Sequence, residues 1–379
     1  MLNKPIRAAF IGGGINSAVG HVHQTALHMD RRFQLVAGAF SLESDVNADT
    51  AAAYAIPPDQ VFADWRELIT NARQTFDVAV VLTPTPSHAE IVTTCLEQKI
   101  PVVCEKALCV DTREARSVQQ VVARTGEFLA VTYNYTGYPM LRELRARIRS
   151  GQLGCVQQIH VEMPQEGFIR RHPATGATAI PQSWRQADGI VSTVALDLGV
   201  HLHHLVDFLS GERPLQVSAV ESHFGAITDV VDNTTCMAKY SNGMVCSMWF
   251  GKTALGCRNG LRVRVFGTQG SAEWVQMDPE HLDICDSHGA RKRIDRSDPE
   301  NTIASLSRYD RFKVGHPAGF IEAFANYYAD IADCLQSSHR NPARSEYVAG
   351  VDVAVASLQF LEAVSLAAKS GTWVDVDSV

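Results

Sequence analysis

Three groups of residues have types and spacings that could do chemistry. Gly12-Gly13-Gly14-Ile15-Asn16-Ser17 follows a short apolar run and opens a helical stretch. A glycine turn in that position lets backbone approach a pyrophosphate and aims helix N-terminal N–H groups at it. Ser17 stands where a third glycine usually falls, and Gly20 lies too far along to replace it. Glu105-Lys106 ends another apolar run and sets a cation at a strand tip. Asp197 and His201 are four residues apart, which on a helix puts carboxylate and imidazole on one face. A carboxylate one turn away can orient the imidazole and raise its basicity, as a general base requires. His203 and His204 follow, and the three histidines invite a metal reading. No second carboxylate or cysteine cluster accompanies them, so no metal is expected.

These residues need elements to hold them. In the first third of the chain strands alternate with helices. Strands are expected at Ile6–Ile11, Phe33–Phe40, Phe76–Leu82, Pro101–Cys104 and Phe128–Thr132, and helices at Ser17–Met29, Asp45–Tyr54, Ser87–Gln98 and Thr112–Thr125. Phe76–Leu82 is continuously apolar, as in a parallel sheet covered on both faces. Residues 1–133 therefore read as an α/β Rossmann domain. The end of its second strand should carry the ribose-reading residue. There the chain has Ser41, then Glu43 and Asp45, with no arginine at hand, which favours NAD over NADP without excluding the latter. Thr83-Pro84-Thr85-Pro86-Ser87-His88 lies at another strand end, with Ser87 placed to cap the next helix.

The remainder, 134–379, reads as an α+β domain with a large, mostly antiparallel open sheet. Helices are expected at Met140–Ser150 and Asp197–Leu209, and strands at Gln157–Met163, Gln216–Phe224, Thr234–Tyr240, Met244–Gly251, Leu261–Phe266 and Ala272–Gln276. Residues 277–315 are polar and read as a long loop. Two terminal helices, Phe320–Gln336 and Glu346–Lys369, are free to pack back on the first domain.

At 379 residues and 46% hydrophobic, the chain is long enough for two such cores. A formal net charge of −7 argues against nucleic acid or a polybasic membrane contact. No uninterrupted apolar run reaches the ~18 residues of a membrane span. The glycine cluster begins at Gly12, leaving no room for a signal peptide before it. The nine cysteines are odd in number and lack Cys-x-x-Cys spacing, so reduced core thiols and a cytoplasmic location are expected.

Taken together, the chain resembles the Gfo/Idh/MocA oxidoreductases (glucose-fructose oxidoreductase, inositol dehydrogenase, rhizopine catabolism). Glu105-Lys106 matches the family's Glu-Lys-Pro motif with Ala107 in place of proline, and Asp197-x-x-x-His201 matches its Asp-x-Gly-x-His motif. The segments 134–140, 182–185 and 311–317 resemble the subgroup with scyllo-inositol and L-glucose dehydrogenases. Asp188–Ala195 lacks the usual glycine-rich run, and Ala318 replaces a glutamate.

The resemblance implies catalysis by Lys106, Asp197 and His201. It implies a cofactor set of Gly12, Gly13, Gly14, Asn16, Ser17, Ser41, Thr83, Pro84, His88, Glu105, Lys106 and Asn134. Substrate contacts would come from Lys106, Asn134, Tyr138, Gln165, Trp184, Arg185, Asp197, His201 and His316. It implies a sugar or polyol substrate and a homodimer or homotetramer formed through the open sheet. Three readings stay open: a dehydrogenase of a free cyclitol or aldose, one of a nucleotide sugar or glycoside oxidised at C3, and a cofactor-binding regulator without chemistry. Arg170-Arg171-His172 is a basic cluster that could hold the phosphate of the second.

Overall fold

A computed structural model describes residues 4–227 and 229–379. The chain divides into two compact units, residues 1–137 with 320–355 and residues 138–319 with 356–379. The sequence division at 133/134 leaves helix Phe320–Gln336 with the second domain; by compactness it belongs to the first.

The first unit is built on five parallel strands, β1 (Ile6–Gly12), β2 (Phe33–Ala39), β3 (Val78–Leu82), β4 (Val102–Glu105) and β5 (Leu129–Thr132), in the order β2-β1-β3-β4-β5. Helices α1 (Gly20–Met29), α2 (Ser44–Ala53), α3 (Trp65–Ala72), α4 (His88–Glu97) and α5 (Thr112–Thr125) connect them. Every residue of β3, β4 and β5 is buried, which is why these strands read as unbroken apolar runs. α3 is absent from the sequence reading, although Asp64 caps it through the N–H groups of Arg66 and Glu67 at 2.8 and 2.9 Å.

Helix α8 (Phe320–Gln336) completes this unit. Tyr327 Oη donates to the Val131 carbonyl at 2.6 Å and accepts the Ala349 N–H at 2.9 Å. Gly137 lies so close to α8 that a Cβ there would sit 2.0 Å from the Ala323 carbonyl oxygen.

The second unit carries a nine-stranded sheet. Its strands are β6 (Val156–Pro164), β7 (Pro214–Ser222), β8 (Asn233–Tyr240), β9 (Val245–Gly251), β10 (Arg262–Gly267), β11 (Gly270–Val275), β12 (Leu282–Asp286), β13 (Arg291–Ile294) and β14 (Val374–Asp375). The order is β13-β12-β11-β10-β6-β9-β8-β7-β14, antiparallel except for the β6–β9 pair. Helices α6 (Pro139–Arg149) and α7 (Val200–Ser210) belong to this unit, as does most of α9 (Val351–Ser370). Residues alternate between faces: Cys236, Ala238 and Tyr240 are buried, while Met237 is exposed.

Residues 277–315 are not a simple loop. They contain β12, paired on both sides by β11 and β13, and the edge strand β13, whose exposed Arg291, Lys292 and Arg293 are charged. Arg293 pairs across to Asp283 at 2.7 Å, a cross-strand link the sequence pattern does not advertise. The following stretch is ordered by buried charge. Glu143 Oε2 accepts the N–H groups of Thr302, Ile303 and Ala304 at 3.1, 2.8 and 3.1 Å. Arg296 donates to Glu280 and to the Tyr309 carbonyl, each at 2.7 Å.

Polar interruptions hide a further feature from a search for unbroken runs. By length and composition α9 is apolar enough to cross a membrane, yet more than half of that stretch is buried within the protein, as in a core helix. The nine cysteines are unpaired, and burial raises the thiols of Cys95, Cys104, Cys109, Cys236 and Cys246.

Gly137→Ala should destabilise the protein by about 1–3 kcal/mol, because α8 must retreat from its own backbone contact. A thermal melt checks this; an unchanged midpoint would show that α8 is not held at Gly137.

Candidate active site

In the first unit the reversal of strand order between β1 and β3 opens a crevice at the strands' carboxyl ends. Gly12 (φ 82°) and Gly13 (φ 77°) take left-handed conformations there. A Cβ on Gly12 would fall 2.9 Å from the backbone of Leu82 and Thr83. Tyr54 Oη donates to the Gly13 carbonyl at 3.2 Å. Gly20 is not too far along. The chain turns through residues 15–19, α1 begins at Gly20, and a Cβ there would lie 2.1 Å from the Gly13 oxygen. Gly20 thus does the close-packing work of the third glycine, and Ser17 Oγ accepts its N–H at 2.8 Å.

Asn16 is exposed, Ser17 is half-buried, and Gly14 packs beside the Phe40 carbonyl at the end of β2. Ser41 Oγ accepts the Glu43 N–H at 3.1 Å, so this side chain also closes a turn. Leu42, 88% exposed, and Ile15 offer apolar surface near these segments that the sequence reading passes over.

Thr83 and Pro84 form the segment after β3. Ser87 does not cap α4; its hydroxyl donates to Thr83 Oγ1 and the Pro84 carbonyl, both at 2.8 Å. His88 is buried with Nε2 2.7 Å from the Thr83 carbonyl and Nδ1 2.8 Å from the Ala107 carbonyl. It joins two crevice segments instead of presenting a ring nitrogen to a ligand. Burial lowers its pKa against the raising effect of those carbonyls.

Glu105 ends β4 and is buried. Burial alone would raise its pKa; the His23 hydrogen bond, the fields of His23 and Lys106, and Thr132 outweigh it and hold the carboxyl below its ordinary value. Lys106 follows, half-buried, and the Lys106–Ala107 peptide is cis. Asn134, two residues beyond β5, is 2% exposed and its Nδ2 has no hydrogen-bond partner. A buried amide N–H left unmade is costly, and a ligand's oxygen is the natural acceptor. The glycine cradle, with no room for side chains, and this orphaned amide both fit a bound dinucleotide.

In the second unit Asp197 does not sit on a regular α-helix. Residues Ala195–Gly199 form a π-helical turn that runs into α7, so the simple four-residue geometry with His201 is altered. Gly199 lets this turn pack closely on its neighbours, since a Cβ would lie 2.9 Å from Leu361 and 3.0 Å from Phe250. Asp197 Oδ2 meets Arg185 at 2.6 Å and Lys252 at 2.5 Å. Arg185 also stacks over the Trp184 ring at 4.4 Å. Lys252 is absent from the sequence reading. It stands directly beyond the end of β9, the same strand-tip signal that singles out Lys106.

Other expected contacts fare differently. Gln165 Nε2 donates to Asn259 at 3.0 Å, and Trp184 Nε1 to Gln182 at 2.9 Å. Tyr138 is a core residue, packed on Trp274 at 5.1 Å, with its hydroxyl accepting from Gln276 at 3.0 Å. His316 is exposed against Phe312. Arg170 and Arg258 share Glu166, at 3.1 and 2.8 Å, and line a cavity of about 520 Å³ with Arg171 and His172.

His201, His203 and His204 are all buried, and no group of three metal-ligating side chains occurs among the described residues. His203 Nδ1 is 2.9 Å from Ser357 Oγ. Burial lowers His203 to about 4; burial, then the neighbouring His203 and Arg145, lower His204 to about 3.

Residues 6–133 match the oxidoreductase family model described as an NAD-binding Rossmann fold, and residues 141–273 match the GFO/IDH/MocA C-terminal domain. The chain is 26% identical over 388 residues to an uncharacterized oxidoreductase of Bacillus subtilis, YfiI, covering 99% of this chain and 98% of the relative. It is 23% identical to inositol 2-dehydrogenase of Rhizobium meliloti, covering 75% and 80%. Among solved structures it resembles an inositol dehydrogenase homolog from Azotobacter vinelandii complexed with NADH and myo-inositol. The TM-score is 0.88 at 27% identity, covering 98% of both chains.

The buried histidines generate a pH prediction. Above about pH 6.5 they are neutral whether the chain is folded or not. Below it the unfolded chain takes up protons that folded His203 and His204 refuse, down to pKa values of about 4 and about 3. Stability should therefore fall between pH 7 and 5, and His204→Gln should remove about 1–2 kcal/mol of that fall. Urea unfolding at the two pH values measures it; an identical fall in the variant would refute the assignment.

Proposed function

Because the chain belongs to the GFO/IDH/MocA oxidoreductase family, we infer that it oxidises a secondary hydroxyl of a free cyclitol or aldose, with NAD as acceptor. The observation that carries this reading is the polar cluster at Asp197, a half-buried carboxylate held by Arg185 and Lys252 one π-helical turn before buried His201. Such fixed donors and acceptors suit a substrate covered in hydroxyl groups, each of which must be paired when buried. The solved relative's complex with myo-inositol supports the same substrate class.

When bound, NAD supplies the hydride acceptor. His201 takes the hydroxyl proton, and Lys106 hydrogen-bonds the reacting oxygen and offsets its developing negative charge. Asp197, fixed by its two cations, accepts from a neighbouring substrate hydroxyl or orients His201. Gly12, Gly13 and Gly14 cradle the pyrophosphate, and Asn134 Nδ2 donates to a ligand oxygen. Glu43 and Asp45, close in sequence to Ser41, disfavour a 2′-phosphate and so favour NAD over NADP.

A second reading, oxidation of a nucleotide sugar or glycoside at C3, is favoured by the cavity at Arg170, Arg171, His172 and Arg258. We place the protein in the cytoplasm as a homodimer or homotetramer. Val220, Met237, Val245 and Phe266 are exposed apolar side chains on strands of the open sheet, and association through that sheet would cover them. A monomeric mass by light scattering would overturn the oligomer.

Reduced-cofactor absorbance with a panel of inositols, hexoses and nucleotide sugars, with NAD and NADP in parallel, tests the substrate class. Turnover confined to nucleotide sugars would replace the first reading by the second. Lys106→Met and His201→Asn should each lower kcat about 10²- to 10⁴-fold while NADH still binds. Full turnover in either variant would remove that residue's role.

A further inference from the structure

Three segments distant in sequence meet at one buried imidazole in the first unit. His23, on α1, is fully buried. Its Nε2 lies 3.0 Å from Glu105 Oε1, and its Nδ1 lies 2.7 Å from Tyr328 Oη on α8. Thr132 Oγ1 donates to the same Glu105 oxygen. Phe324 and Tyr328 pack edge-on to the ring at 4.8 and 5.8 Å.

A contact that needed only packing would be made by apolar side chains. Burying a carboxylate is costly, and it is tolerated when its oxygens are hydrogen-bonded and its charge is offset. The Glu105 carboxylate can only accept, so the imidazole proton sits on Nε2, and Nδ1 of the neutral ring is left to accept from the Tyr328 hydroxyl. Glu105 thus sets the tautomer, and Tyr328 holds the ring in the orientation that meets it, much as an outer partner does for a ligating histidine. No atom of this chain of contacts needs to touch a substrate. What it fixes is the last residue of β4, from which the backbone passes directly to Lys106. On the other side of Lys106, the Ala107 carbonyl is held by His88.

We propose that His23, aimed by Tyr328, is a positioning residue that sets Lys106 through the buried Glu105 carboxylate. The proposal rests on the reading of Lys106 as a catalytic cation. It ties three places together: the helix that follows the glycine turn, the strand tip bearing the lysine, and a helix from the C-terminal third of the chain.

The test uses the full-length protein with NAD and a polyol that it oxidises. His23→Leu and Tyr328→Phe should lower kcat about 10- to 100-fold while NADH affinity, read by fluorescence, stays within about twofold. The deuterium isotope effect from substrate labelled at the carbinol carbon should rise, because a misplaced lysine slows the chemical step. His23→Gln, whose amide N–H can reach Glu105, should recover most of kcat. A folded His23→Leu protein with unchanged kcat and isotope effect overturns the proposal. A loss confined to NADH affinity also overturns it, since His23 would then serve the dinucleotide cradle. Tyr328→Phe removes a single oxygen and keeps the test open if His23→Leu does not fold.

If the wild type oxidises nothing, the reading of the reaction has failed, and spectra of [13Cε]lysine-labelled protein decide the positioning separately. The Lys106 signal, assigned by its loss in Lys106→Arg, should shift or broaden in Tyr328→Phe. An unmoved signal refutes the proposal.

Discussion

A carboxylate buried at a strand tip shapes the whole first unit. Glu105 remains below its ordinary pKa although burial pushes the other way, because an imidazole, a hydroxyl and a neighbouring ammonium all favour the anion. Supplying those partners recruits α1, β5 and α8, so their placement is coupled to a single charge. Asp197 in the second unit is held in a different regime, half-buried between two cations. With side chains only 12–23% exposed, much of their attraction goes to offset the cost of taking the charges out of water, so orientation is the larger effect of that cluster.

Legibility in the sequence follows burial. β3, β4 and β5 are covered on both faces and must be apolar throughout, so their positions are plain from composition alone. β13 lies at the edge, where polar side chains suffice, β12 lies beside it, and the pairing of both depends on partner strands that local pattern does not reveal. The glycine turn is legible because its residue type is dictated by left-handed φ values at Gly12 and Gly13.

Gly20 is misread for a related reason. Spacing along the chain stands in for distance in space only if the intervening path is known, and here an extra turn brings Gly20 back to the Gly13 carbonyl. The π-helical turn at Asp197 changes a four-residue spacing in the same way, since its residues advance around the axis by a smaller angle than in an α-helix. Asp197 and Arg185 are visible as candidates from the chain, but their pairing is not, and Lys252 enters only through the fold.

The division of the chain also bears on the order of assembly. The first unit uses residues 1–137 and then waits for 320–355. Its apolar core includes Phe324, Tyr327, Tyr328 and Ile331 beside Phe10 and Val80. During synthesis at roughly 5–20 residues per second, the parallel sheet therefore emerges well before the helix that completes its core. Through that interval the apolar surface destined for α8 lacks its cover, and the nascent chain must pass β6 to β13, all of the second sheet but its last strand, before it can close the first.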